Sequence, residues 1–171
     1  HCACCAVGGG WCNGCYYCAV PLIRGRLRSR TVEELTAEAR FLASEGVREL
    51  IVVAQDVTAF GADRGQVEIG RLLDELNRVE GIQWIRLLYA YPERITDELL
   101  DAIVRNETVL PYLHVPIQHI HSQVLKNMNS LADQQTALHE PARLPPAQPH
   151  LTLSPPLLAG YPGPTQRIVP R

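Results

Sequence analysis

From Thr31 to about Met128 the chain alternates helix-like and strand-like segments at intervals of about 30 residues, the pattern of successive βα units. Nothing else in the sequence restricts the fold as much. Thr31-Val32-Glu33-Glu34 has the form of a capping box, and Val32, Leu35, Ala39, Leu42 and Ala43 then fall on one helical face. Gly46 suits the left-handed position that ends such a helix. Glu49 to Ala54 is a short apolar run rich in β-branched residues, which predicts a strand buried on both faces of a parallel sheet. The unit recurs with Ile69, Leu72, Leu73, Leu76 and Val79, closed by Gly81, and a strand over Gln83 to Tyr89. Thr96 caps a third helix whose first turn carries Asp97 and Glu98 against the positive end of its dipole. Leu99, Leu100 and Ile103 form its inner face. Tyr112 to Val115 predicts a fourth strand, and Ser122 opens a fourth helix through Val124, Leu125 and Met128. Periodicity alone leaves open sheet and barrel both available.

The last third differs. Nine of the 13 prolines lie between Pro141 and Pro170, so the stretch from Ala132 to His150 is expected to be irregular. Leu151-Thr152-Leu153 and Leu157-Leu158-Ala159 are candidate strand remnants around Pro155-Pro156, with a disordered linker as the alternative. The chain has 171 residues, 46% hydrophobic and 20% charged, enough for one domain with a core. A net charge of -2 gives no basic field to attract nucleic acid. No apolar run approaches the roughly 18 residues of a membrane span. Position 1 is not Met and no secretory pattern follows, so the chain is expected to start inside a longer protein.

All six cysteines lie in the first 18 residues: Cys2, Cys4, Cys5, Cys12, Cys15 and Cys18. A disulfide framework spreads its bridges, whereas crowding of this kind points to metal or cluster ligation in a reducing compartment. Cys12, Cys15 and Cys18 recur at equal intervals, and three thiolates can hold a 4Fe–4S cluster while leaving one iron open to a substrate. A zinc site is the alternative, with His1, Cys2, Cys4 or Cys5 as fourth ligand. Spacing does not separate the two. Cys2, Cys4 and Cys5 read first as strand residues or incidental thiols.

The cysteine loop followed by "AVPLIRGRLRSR", then "EGVRELIVVAQDVTAFGAD", "IRLLYAYPERITDELLDAI" and "VLPYLHVPIQHIHSQVLKNMN", resembles the radical S-adenosylmethionine (SAM) core of the methylthiotransferases. The "VAQDVTAFG" and "LLYAYPERIT" stretches resemble the branch that modifies a ribosomal protein rather than tRNA. The resemblance implies a partial (β/α) barrel of the radical SAM type, with about five of the six βα units present. It implies two regions of one domain: a core with its cluster loop over 1–130, and a degenerate Pro-rich continuation over 131–171. "LTLSPPLLAGYPGPT" falls in register with the family's fifth strand. The family loop, CxxxCxxC, places its first ligand at position 11, where this chain has Trp11. Cys12, one residue later, is the sulfur available instead.

The resemblance further implies that Cys12, Cys15 and Cys18 bind a 4Fe–4S cluster and that Tyr17, Gln55, Asp56, Gln118 and Gly160 bind SAM. His119 is a further pocket candidate, or else a structural histidine. Arg24 and Arg30 are expected to meet the carboxylate of the cofactor or substrate, since guanidinium grips carboxylate as a fork. The implied reaction adds a methylthio group to the β-carbon of an aspartate in a small-subunit ribosomal protein, with an electron donor such as flavodoxin, in the cytoplasm. No membrane or nucleic-acid partner is expected. The chain is expected to be an incomplete or impaired fragment of such an enzyme, with a non-catalytic zinc- or cluster-binding relative and a tRNA methylthiotransferase as alternatives.

Overall fold

The structure is a computed structural model and describes residues 1–11, 14–130, 151–158 and 161. Five strands form one sheet: β1 (Cys2–Ala6), β4 (Glu49–Val53), β5 (Trp84–Leu88), β6 (Val109–His114) and β7 (Thr152–Ser154). They lie side by side in chain order and every pair is parallel. A two-stranded ribbon of β2 (Gly8–Gly9) and β3 (Arg28–Ser29) adjoins β1. The helices between strands are α1 (Val20–Arg24), α2 (Val32–Ser44), α3 (Ile69–Asn77), α4 (Asp97–Arg105) and α5 (Ser122–Asn127). Parallel neighbours joined through helices, in unbroken sequential order, make a partial (β/α) barrel of about five units.

The predicted helices start where their caps fall. Thr31 accepts from the Glu34 amide and Glu34 returns the bond, completing the capping box of α2. Thr96 accepts from the Leu99 amide at 3.2 Å. Gly46 and Gly81 both take positive φ after their helices. α2 packs on α3 and α3 on α4 along the sheet. Leu35, Ala39, Leu72, Leu73, Leu76, Leu99 and Ile103 meet Cys5, Leu50, Val52, Ile85, Leu87 and Leu113 in one core.

Two expectations are corrected. β4 is not equally buried on its two faces: Leu50 and Val52 are fully covered by helices, whereas Glu49, Ile51 and Val53 are half-buried. The helices cover one side of the sheet, and the other is the open inner face of the arc. The fourth strand begins at Val109 rather than Tyr112. Pro111 lies inside it, and the pairing with β5 shifts between Ile85↔Val109 and Leu87↔Leu113. A proline cannot donate to a ladder, and the irregularity absorbs it. At the far edge, β7 pairs with β6 through Tyr112↔Thr152 and His114↔Ser154, and a bridge joins Gln118 to Leu157. The proposed strand at 157–159 is thus one bridge within the described residues. The irregular stretch expected over 132–150 lies outside them.

Candidate functional site

Ligands of (β/α) barrels gather at the C-terminal ends of the strands. The cysteine loop is folded over that end here. The Cys18 amide donates to the Cys15 carbonyl at 3.0 Å, making the tight turn that CxxC spacing permits. The Tyr16 amide donates to the Met128 carbonyl at 3.0 Å, and the Asn129 side-chain amide donates to the Gly14 carbonyl at 2.7 Å. The loop is therefore tied to the C-terminal end of α5. On its other flank Gly10 takes φ 81, and a Cβ there would collide with the Arg26 carbonyl. The Trp11 amide donates to the Gly25 carbonyl, and the Trp11 ring packs on Tyr91 at 4.9 Å.

Beneath the loop lies a cavity of about 350 Å³. Cys15, Cys18, Tyr17 and Trp11 line it from the loop; Gln55, Tyr89, Tyr91, His114 and Gln118 line it from the strand ends. Pro116, Pro156, Leu157 and Leu158 complete an apolar side. Burial pushes the Cys15 thiol up, against a hydrogen bond with Tyr17 that favours the thiolate. Burial also raises the Tyr17 and Tyr91 phenols, so both stay protonated. His114 is lowered by burial. Tyr89 and Gln118 have φ of 64 and 60, a left-handed backbone that residues with large side chains adopt under constraint. Both belong to the cavity wall.

Of the residues expected to bind the cluster or SAM, Cys15, Cys18, Tyr17, Gln55 and Gln118 are brought together here. Cys12 and Gly160 lie outside the described residues. Asp56 is not among the residues that line the cavity. It is 2% exposed, and its carboxylate accepts from the Thr58 amide and hydroxyl and from Arg94 at 2.7 Å. It caps the turn after β4. Arg30 does not line the cavity either: it pairs with Glu38 and donates to the Ala6 carbonyl, fastening β1 to α2. Arg24 ends the exposed helix α1 and does not line the cavity. His119 takes its structural reading, 7% exposed with Nδ1 accepting from the His121 amide at 2.9 Å.

The cavity fits an iron–sulfur cluster and SAM in two respects. Two soft sulfur donors open on it at CxxC spacing, and its other walls combine amides and aromatic rings able to hold a polar, planar ligand. Cys2 and Cys4 lie on the exposed side of β1, with Cys2 paired to Glu49 at the opposite end of the sheet, and Cys5 is sealed in the core. None joins the loop thiols. Among the described residues no three metal-ligating side chains gather, so zinc finds no complete set there either.

The wall contributed by Tyr89, Tyr91 and His114 was not legible from the sequence. Their motifs, "AYP" and "LHVP", carry no ligand spacing. Only the left-handed backbone at Tyr89 marks the place, and it is visible solely in three dimensions.

The Radical SAM superfamily model matches residues 7–139, and the chain belongs to that superfamily. Two of its relatives are particular. The chain is 43% identical over 164 residues to the ribosomal protein uS12 methylthiotransferase RimO of Clostridium tetani, covering 95% of this chain and 37% of that protein. It is 46% identical over 152 residues to the RimO of Acetivibrio thermocellus, covering 88% of this chain and 34% of that protein. The chain thus spans about a third of the length of the curated relatives it matches. Among solved structures, the radical SAM methyltransferase TsrM from Kitasatospora setae, with cobalamin and a [4Fe-4S] cluster bound, aligns with TM-score 0.66 and 15% identity over 90% of this chain and 30% of that one. TsrM with tryptophan and a SAM analog aligns at 0.67, with 15% identity over 91% of this chain and 30% of its own. At that identity the likeness is one of fold.

Proposed function

We propose that this chain is the radical SAM core of a methylthiotransferase that modifies the β-carbon of an aspartate in ribosomal protein uS12. The observation that carries the reading is the meeting of Cys15, Cys18, Tyr17, Gln55 and Gln118 around one cavity at the strand ends. The RimO relatives, at 43% and 46% identity, supply the substrate.

Cys15 and Cys18, with Cys12 as third sulfur, would hold a 4Fe–4S cluster. When bound, cluster and SAM supply one-electron cleavage and hydrogen abstraction from an unactivated carbon. The chain's own part is placement. Tyr17 sets a neutral phenol ring beside the thiols, available to the adenine. Gln55 and Gln118 offer amide donors and acceptors to the amino acid end of SAM. Pro116, Leu157 and Leu158 keep water from the reacting atoms. Gly160 is proposed to let backbone approach the cofactor. An electron donor such as flavodoxin supports the reaction, in the cytoplasm. No helix among the described residues is long and apolar enough to cross a membrane.

Anaerobic reconstitution with iron and sulfide, followed by metal analysis and SAM titration, tests the proposal. Iron and sulfide in equal amounts, with SAM binding that depends on them, support it. Zinc without sulfide, or a cluster that leaves SAM affinity unchanged, overturns it in favour of a non-catalytic relative.

A further inference from the structure

One wall of the cavity is formed by the sheet itself. Cys15, Cys18, Gln55 and Gln118 all stand on loops beyond the strand ends. His114 stands on the sheet itself, as the last residue of β6. Leu87↔Leu113 and Val53↔Leu88 place it in one row with Val53, Leu88 and Ser154 on the open face. It therefore lines the cavity from the sheet.

His114 is held there. Its ring stands edge-on to Tyr89, with centroids 4.8 Å apart and planes at 68°. The Ala90 amide donates to the His114 carbonyl at 2.8 Å, and the Tyr89 carbonyl accepts from the Val57 amide at 3.0 Å. These bonds flank the left-handed turn at Tyr89 that brings the two rings together. The His114 Nδ1 is buried and has no hydrogen-bond partner among the described residues. A neutral imidazole has one nitrogen that donates and one that accepts. Arg86, on the same face, is already engaged: it pairs with Glu49 at 2.7 Å and lies over the Tyr112 ring at 5.1 Å.

We propose that His114 is a positioning residue for the substrate, donating a hydrogen bond to the carboxylate of the aspartate that is modified, with Tyr89 fixing the ring. The inference rests on the reading above that this cavity serves an aspartate of uS12. It goes beyond that reading in naming what holds the acceptor.

The test uses the reconstituted chain with SAM, as wild type, H114F and H114Q. Each is titrated with a synthetic uS12 peptide carrying the target aspartate and with the same peptide carrying asparagine. The expected result is a loss of roughly tenfold in aspartate-peptide affinity in H114F, largely recovered in H114Q. The asparagine peptide should bind wild type as weakly as the aspartate peptide binds H114F. SAM affinity should stay within roughly twofold throughout, which a merely structural role would not guarantee. Equal affinity of H114F and wild type for the aspartate peptide overturns the proposal. So does an equal or absent response of wild type to the two peptides, or a parallel loss of SAM affinity in H114F. Wild type that fails to bind SAM sinks the proposed function, and the role of His114 with it.

Discussion

Asp56 and the two described loop cysteines show how differently side chains in one neighbourhood are employed. Arg94 faces Asp56 at 2.7 Å, with the carboxylate buried and the guanidinium about a third exposed. Replacing Arg94 by Met leaves a buried carboxylate short of its partner. Such losses run to about 3–5 kcal/mol for fully buried pairs, so the partial exposure here puts the expected cost near 2–3 kcal/mol. The urea unfolding midpoint of R94M should fall accordingly, while SAM binding per folded molecule stays unchanged. Cys15→Ser and Cys18→Ser should do the opposite: each should lose most of the iron retained after desalting, with the unfolding midpoint of the unloaded chain little altered. Cys4→Ser serves as the control, because Cys4 lies on β1 and not in the loop. The CxxC spacing of Cys15 and Cys18 was legible in the sequence, and both thiols open on the cavity. The place of Asp56 off the cavity wall was not legible, because a carboxylate that caps a turn and a carboxylate that binds a ligand have the same letter and the same strand-end position. Only the Arg94 and Thr58 partners separate them.

At the scale of elements, caps and periodicity were reliable. The reciprocal Thr31–Glu34 bonds fix the start of α2, and Thr31→Ala is expected to cost about 1 kcal/mol, read as a lower thermal midpoint. Asn should restore most of it, since its side-chain oxygen also accepts from the first turn. Strand ends were less legible. Pro111 made the first half of β6 unreadable as a strand, because a lost ladder donor normally excludes one. The register shift against β5 accommodates it, and such a shift depends on the neighbouring strand rather than on β6 itself. The small ribbon of β2 and β3 was also invisible beforehand. Gly8 and Gly9 have low strand propensity and pair with Arg28 and Ser29 only after the loop between them has folded back.

Over the whole molecule, stability should depend on alkaline pH through Cys5. The residue is fully buried between β1 and the helices, and burial pushes its thiol from 9.0 up to about 11. A thiol raised in the folded state contributes fully below its unfolded value and loses that contribution as pH climbs through the folded one. Unfolding free energy should therefore decline between pH 9.0 and about 11. The share of the decline due to Cys5 should be on the order of 2 kcal/mol, and C5A should remove that share. Cys2 and Cys4 should meanwhile react with iodoacetamide in the native chain, and Cys5 only after denaturation. The parallel order of strands followed from the alternation of units, a property summed over the chain. The single-sided cover of the sheet did not, since β-branched runs look alike whether one face is sealed or two.

The tether between Gly14 and Asn129 spans 115 positions of sequence. Synthesis runs from the amino end, so both thiols of the turn emerge long before the asparagine that steadies them. Until that late amide is made, the turn lacks its anchor. A ribosome paused within the arc would display reactive sulfur to any passing metal or oxidant, and iron delivered at that moment would meet ligands not yet held in place.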